Sequence, residues 1–284
     1  MTGPPMTGPA MPGVRRVVPL TFGWEDLPET VSIHGGDPMA RLREPVPGVL
    51  LEVDGGWLLL DTGFNVPLVR DPLLYRRFHG RNHDIVAELL PDPRDSLEVA
   101  FEKVGVDPAQ VAVVALSHLH NDHAGGLRHF AEHVPVHCQR RELEYGLGGH
   151  PAPESHGIFR VDFDDPAIDW RLADGEADVA PGVTAVPTYG HTPGHQSFVV
   201  ELAPAAAERY GTAGFILAFD AADLQRNIDE EVAVGGFIDT TPEETVDAIR
   251  RLKAIAAERR FRLVPGHDPV VWPAFTAALG VPGP

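Results

Sequence analysis

Val111-Ala-Val-Val-Ala-Leu116 runs straight into Ser117-His-Leu-His-Asn-Asp-His123, and this junction decides the fold. The apolar run is short and reads as a strand buried on both faces. His118 and His120 lie two apart, so an extended segment points them to the same side. Asp122 and His123 follow in the turn, aimed at a second position beside the first. Ala124-Gly125-Gly126 then lets the backbone pass close to the cluster before a helix begins. Three other apolar stretches end the same way. His191 sits in Tyr189-Gly-His-Thr-Pro-Gly-His195 after the strand-like Val183-Thr-Ala-Val-Pro187, Asp220 closes Phe215-Ile-Leu-Ala-Phe219, and His267 follows Leu263-Val-Pro-Gly266. Four apolar runs that each end in metal-grade side chains describe a sheet sandwich with a metal site along one edge.

The donor set points to chemistry. His118, His120, His123, His191 and His267 offer imidazoles, and Asp122 and Asp220 offer carboxylates, enough for two adjacent divalent ions. Zinc suits this set, and iron, cobalt or manganese would also accept it. No thiolate contributes, because the single cysteine, Cys138, lies on a strand among apolar neighbours and reads as a buried structural thiol. Structural zinc favours closed, thiolate-rich shells, so the chain reads as a metallohydrolase.

The pattern resembles the metallo-β-lactamase superfamily, whose signature is His-x-His-x-Asp-His followed by a distant His, Asp and His. The resemblance runs from about Val49 to His267. It implies an α+β fold, the four-layer αββα metallo-β-lactamase sandwich. It also implies that His118, His120 and His191 hold one ion, that Asp122, His123 and His267 hold the other, and that Asp220 bridges both. Asp61, in Leu58-Leu-Leu-Asp-Thr-Gly63, matches the early Asp-Thr-Gly turn that supports the ligand loop from behind. Within the superfamily, Ser117-His-Leu-His-Asn-Asp-His-Ala-Gly-Gly126, His191-Thr-Pro-Gly-His-Gln-Ser197 and Gly266-His-Asp268 look like the N-acyl homoserine lactonases. Two positions depart from that family. Asp223 stands where those lactonases commonly carry a tyrosine that contacts the substrate carbonyl or leaving oxygen. Asn121 replaces what is often an aromatic residue lining the acyl pocket.

These motifs imply metal-assisted hydrolysis of a lactone ring, with N-acyl homoserine lactone as the expected substrate. A hydroxide bridging the two ions would attack a polarised carbonyl. Asp122 or Asp220 would relay the proton, and Asp223 would meet the substrate. The alternatives are a related small-ester, cyclic-amide or carbamate hydrolase, or a non-catalytic metal-dependent binding or sensor protein. Asp220 stands where a cysteine-bridged β-lactamase would carry its thiolate. Only 17 residues follow His267, too few for the helical domain of glutathione-thioester hydrolases. Flavin-dependent di-iron relatives need a second domain.

Composition narrows the partners. The chain has 284 residues, 43% of them apolar, which is ample for a sizeable core. Its 23 basic residues face 41 acidic ones, a formal charge of −18 with no basic run. Nucleic acid and anionic membrane surfaces both need clustered Lys and Arg, so a small-molecule substrate is expected instead. No stretch is long enough to span a bilayer, and the N-terminus has no apolar core for a secretion signal. Cytoplasmic location follows as the expectation. We read residues 1–13 as a flexible tail and 14–284 as a single hydrolase domain. A homodimer is compatible with the Arg- and aromatic-rich stretch 65–94.

Local signals fill in the rest. Asp54-Gly55-Gly56 between Val49–Val53 and Trp57–Asp61 is a hairpin signal. Residues 65–94 read as an irregular insertion with one or two short helices, Ser96–Val104 as a helix, Val134–Cys138 as a strand, and Arg140 to about Tyr145 as a short helix. A second irregular stretch, Gly146 to about Trp170, holds His150 and His156 where a loop could cover the site. Phe64, Phe159, Phe163 and Trp170 read as core. His129, His133 and His137 read as surface or strand residues, and His195 as a turn residue. Thr241, Pro242 and Glu244 form a helix start with a capping box, and Val246, Ile249 and Leu252 mark that helix's buried face.

Overall fold

The computed structural model describes residues 13–80, 84–148 and 155–283. Strands β1 (Arg16–Pro28), β2 (Arg41–Val53), β3 (Gly56–Leu60), β4 (Val86–Leu89), β5 (Val111–Ala115), β6 (Pro135–Gln139) and β7 (Asp169–Ala173) form a seven-stranded sheet in the order β4-β1-β2-β3-β5-β6-β7. Strands β8 (Ala177–Ala180), β9 (Val183–Pro187), β10 (Gln196–Glu201), β11 (Gly214–Leu217) and β12 (Arg262–Val264) form a five-stranded sheet in the order β12-β11-β10-β9-β8.

Side-chain alternation along the strands stacks these sheets. Val49 and Leu51 of β2 and Leu58 and Leu60 of β3 face Phe198 and Val200 of β10 and Phe215 and Leu217 of β11. The intervening residues, Leu50 and Leu59, face the opposite way and meet Leu97, Ala100 and Phe101 of the helix Ser96–Val104. Val199 and Ile216, on the outer face of the smaller sheet, meet Ala248, Ile249 and Leu252 of the helix Pro242–Arg259. Three apolar layers between two sheets and flanking helices make the four-layer αββα sandwich. Each fully buried Leu or Phe in these layers contributes roughly 1.5–3 kcal/mol. Strands covered on both faces read as continuous apolar runs, which is why β3, β5 and β11 carry no polar alternation.

Most local expectations hold. The hairpin turns at Asp54-Gly55, and Gly55 has a φ of +93° that a side chain would strain. The helices Ser96–Val104 and Arg140–Gly146 and the strand Pro135–Gln139 stand where the sequence placed them. Residues 65–94 contain two short helices, Val66–Arg70 and Pro72–Phe78, together with the edge strand β4.

Several expectations change. Trp170 lies on β7 rather than in a loop. Val246 is only half-buried, because Thr245, Ala248, Ile249 and Leu252 follow the helical period toward the sheet and turn Val246 aside. β1 and the first half of β2 were not anticipated at all. Of the expected tail, residues 1–12 lie outside the described residues, as does His150. Just after it, Val14 is fully buried and hydrogen-bonded to the smaller sheet through Glu201 and Ala203. No helix among the described residues is long and apolar enough to cross a membrane.

Candidate metal centre

All seven candidate residues converge beyond the C-terminal ends of strands, four of them after β5 in the larger sheet. His191 follows β9, Asp220 follows β11 and His267 follows β12, so the smaller sheet supplies the other three. They form two groups whose potential ligand atoms lie within 4.8 Å of one another: His118, His120, His191 and Asp220, and beside them Asp122, His123 and His267. Asp220 faces both. Its Oδ1 lies 3.1 Å from His267 Nε2 and 3.2 Å from His123 Nε2, while its Oδ2 lies 3.4 Å from His191 Nε2 and 3.8 Å from His118 Nε2. Asp122 Oδ2 stands 3.0 Å from His123 Nε2.

The surroundings fix how the rings are turned. Ser117 donates its backbone N–H and its hydroxyl to Asp61, both at 2.7 Å. With its proton committed, Ser117 Oγ accepts from His118 Nδ1 at 2.9 Å. His123 Nδ1 donates to Asp61 Oδ2 at 2.7 Å, and His267 Nδ1 donates to the Pro45 carbonyl at 3.0 Å. Each of these rings therefore turns its Nε2 inward. His123 Nε2 and His267 Nε2 face each other at 3.2 Å, and His120 Nδ1 lies 2.9 Å from His118 Nε2 and 2.8 Å from His191 Nε2. Ring nitrogens packed this closely around shared carboxylates fit a Lewis acid between them.

Electrostatics agree. Burial holds the imidazoles of His118 and His191 neutral, well below their usual range, and His120 down to about 4. Burial opposes the charge on Asp220, but His123, His267, His118 and His191 outweigh it and keep the carboxyl ionised. Burial also disfavours a charged His267, yet Asp220 pushes it up to about 10, so a metal ion entering here would displace a proton.

Local backbone serves the centre. Asp61 adopts a φ of +56°, which Asp tolerates better than most residues, so its turn and its supporting role coincide. Phe219 adopts a φ of +48°, a conformation costing about 1–3 kcal/mol that persists because its ring is packed edge-on against Phe198. Gly190 brings the His191 turn against the helix Pro242–Arg259, where a Cβ would meet Thr245 backbone at 2.7 Å.

The other sequence candidates fall around this core. His195 bonds Thr188 Oγ1 at 2.9 Å through Nδ1 and belongs to neither group, as a turn residue should. Phe64 and Phe163 are core, and Cys138 is buried. Phe159, read as core, also lines the cavity over the centre, together with His156 and Asn121. Asp223, 4% exposed, is not a solvated loop carboxylate: it lines the same cavity, and its Oδ1 has no hydrogen-bond partner among the described residues.

Three acids were missed. Glu142 accepts from Leu119 N–H at 3.1 Å, Thr192 Oγ1 at 2.8 Å and Gly194 N–H at 2.9 Å, tying the His118–His123 loop to the His191 turn. Glu25 and Glu44 line the cavity from β1 and β2. Burial pushes the carboxyls of Glu25 and Asp223 well up and that of Glu44 to about 7. No motif marks any of the three. Only strand register reveals Glu25 and Glu44, and Glu142 sits in an ordinary helical segment.

The sandwich and the clustered histidines and aspartates define a metal-dependent hydrolase. The chain belongs to the metallo-β-lactamase superfamily, whose family model matches residues 42–206. It is 32% identical to the N-acyl homoserine lactonase AttM of Azorhizobium caulinodans over 83% of this chain and 86% of that protein. It is 31% identical to the N-acyl homoserine lactonase AiiA of Bacillus thuringiensis subsp. kurstaki, over 81% of this chain and 84% of that one. A solved N-acyl homoserine lactone hydrolase with the product N-hexanoyl-L-homoserine bound at its catalytic metal centre superposes with a TM-score of 0.76 at 28% identity, covering 90% of this chain and 94% of that one.

Proposed function

We propose that this chain is a dinuclear lactonase that opens N-acyl homoserine lactones, with residues 14–284 forming one hydrolase domain that works in the cytoplasm on two zinc ions. The observation that carries the reading is Asp220, whose two oxygens face two separate groups of ring nitrogens at the floor of one cavity. In this reading His118, His120 and His191 hold one ion, Asp122, His123 and His267 the other, and Asp220 both. Such ions, when bound, activate water as a nucleophile and act as Lewis acids toward an ester carbonyl.

The chain's own groups do the rest. Asp61 fixes the tautomers of His118 and His123. Water adds to the ring carbonyl, the ring C–O bond breaks, and one water proton passes through Asp122 or Asp220 to the departing alkoxide. Asp223, beside the centre with an unpartnered oxygen, hydrogen-bonds the substrate carbonyl or the leaving oxygen. The apolar side chains of Phe78, Ile85 and Phe159 line the remaining wall.

The test is a pH-indicator assay of purified, metal-analysed protein against acyl homoserine lactones, simple γ- and δ-lactones, thioesters and a β-lactam. Lactone opening with two metal ions per chain is the expected result. Turnover of another ester with lactones untouched would keep the centre and overturn the substrate. Two ions and no turnover of anything would make the chain a binding or sensor protein.

A further inference from the structure

Glu25 and Glu44 are direct cross-strand partners in the antiparallel pairing of β1 with β2. Partners in this register share a face of the sheet, and like charges placed directly opposite each other destabilise it. One residue further along, the same two strands pair Asp26 with Arg43. Acids on this outer part are matched: Arg41 binds Asp26, and Arg43 binds Glu88 at 2.8 Å. The pair facing the cavity has no such match. The Glu25 carboxyl makes no hydrogen bond or ion pair among the described residues, and the Glu44 carboxyl receives only the Ser32 hydroxyl, at 2.6 Å on Oε1.

Asp223 adds a third carboxyl to the same cavity. It is 4% exposed, its Oδ1 has no hydrogen-bond partner, and its backbone carbonyl accepts from His267 N–H at 2.9 Å, so it stands against the candidate centre. Burying acids without matched partners is costly; Glu44 and Asp223 are buried and Glu25 half-buried where all three line one space of about 230 Å3. A third metal ion does not explain them: among the described residues, only the two groups already described bring three or more ligand atoms within 4.8 Å of one another. Charge balance does not exhaust them either: two divalent ions held by Asp122 and Asp220 would keep a formal double positive charge, and with Asp61 already against His123 the acids around the centre outnumber it, leaving room for a cation.

We propose that Glu25, Glu44 and Asp223 form a receptor for a protonated amine, so that beside N-acyl lactones this site takes lactones that carry a free ammonium group on the carbon next to the ring carbonyl. The proposal rests on the lactonase reading for its ring and on the acid wall for its cation. A carbonyl held at the centre presents its α-substituent first to Asp223, and the two glutamates close around the N–H donors. Amine donors spread over three acceptors suit carboxyls too far apart to share one metal ion. The small cavity, below the usual range for drug-sized ligands, suits a compact amino lactone.

The experiment separates binding from turnover. The metal-loaded protein is titrated calorimetrically at fixed pH with two slowly hydrolysed lactams, 3-amino-2-pyrrolidinone and 2-pyrrolidinone. In parallel, kcat/KM is measured for γ-butyrolactone and for its α-amino derivative at a pH where the amine is protonated. The amino lactam is expected to bind about tenfold tighter, the contribution of one charge-assisted contact. Both preferences should weaken with added salt and shrink in Glu25→Gln and Glu44→Gln, with metal content and melting temperature checked alongside. Equal binding of the two lactams by folded, metal-loaded protein would overturn the cation receptor even if lactones are opened. Retained amino-lactam preference with no lactone opened would support the receptor while overturning the lactonase reading.

Discussion

At the scale of single residues, Asp61 does the most for its size. It accepts the Ser117 N–H, the Ser117 hydroxyl and the His123 Nδ1 proton, three bonds at 2.7 Å that set two imidazole tautomers. Asp61→Asn replaces an accepting oxygen with a donor, so one of these partners must turn away. Metal affinity is expected to fall about 10- to 100-fold, the usual effect of losing an outer-shell partner, and metal analysis after dialysis reads it. Full metal retention would show that the tautomers are set elsewhere. Asp162 offers a different test, away from the centre. It is buried, its Oδ1 accepts from Asn65 at 2.7 Å, its Oδ2 has no partner, and burial pushes its carboxyl up to about 7. A carboxyl raised on folding contributes stability below its ordinary value of 3.8 and loses it as pH climbs to about 7. Asp162→Asn removes that loss, so the variant should gain on the wild type by on the order of 1 kcal/mol per pH unit inside this window. Melting temperatures at pH 5 and pH 8 check it; parallel pH profiles would refute it.

At the scale of elements, the legible parts were those whose signals are local. The helix Pro242–Arg259 announced itself through Thr241, and the structure has both halves of the capping box: Glu244 N–H to Thr241 Oγ1 at 3.3 Å and Thr241 N–H to Glu244 Oε2 at 2.9 Å. Thr241→Ala should lower stability by about 1 kcal/mol, read by denaturant titration; no change would mean that Pro242 and the packing of Ile249 and Leu252 suffice to start the helix. The Asp54-Gly55 hairpin was equally local. β1 was not legible, because Pro19, Gly23 and Pro28 interrupt its pattern and the chain bulges between Thr21 and Gly23. With β1 unseen, the opposition of Glu25 and Glu44 could not be foreseen, since it exists only in the register of two strands joined by a long connection. The candidate ligands were legible for the opposite reason. They follow the ends of four apolar runs, so chain order alone displays them, whereas the acid wall and Glu142 need the third dimension.

At the scale of the whole molecule, the candidate centre joins the two sheets. His118, His120, Asp122 and His123 leave the seven-stranded sheet through β5, while His191, Asp220 and His267 leave the five-stranded sheet through β9, β11 and β12. Between the sheets lies an apolar layer that packs without direction. Metal bonds at its rim would add directional links across that layer. Removal of the ions by dialysis against a chelator should therefore lower stability by about 4 kcal/mol for a site kept a thousandfold above its Kd, a fall of roughly ten degrees in melting temperature for a chain of this size. Restoring the metal should restore the transition. The acids sharpen this expectation: with the ions gone, the charge of Asp122 and Asp220 faces only imidazoles beside the Glu25, Glu44 and Asp223 wall, so the metal-free sandwich should open first at this edge. Hydrogen exchange after chelation ought to speed up in the segments around His118–His123, His191 and His267 before it reaches β3 or β10. Uniform acceleration across both sheets would mean instead that the centre supports the molecule as a whole rather than its rim.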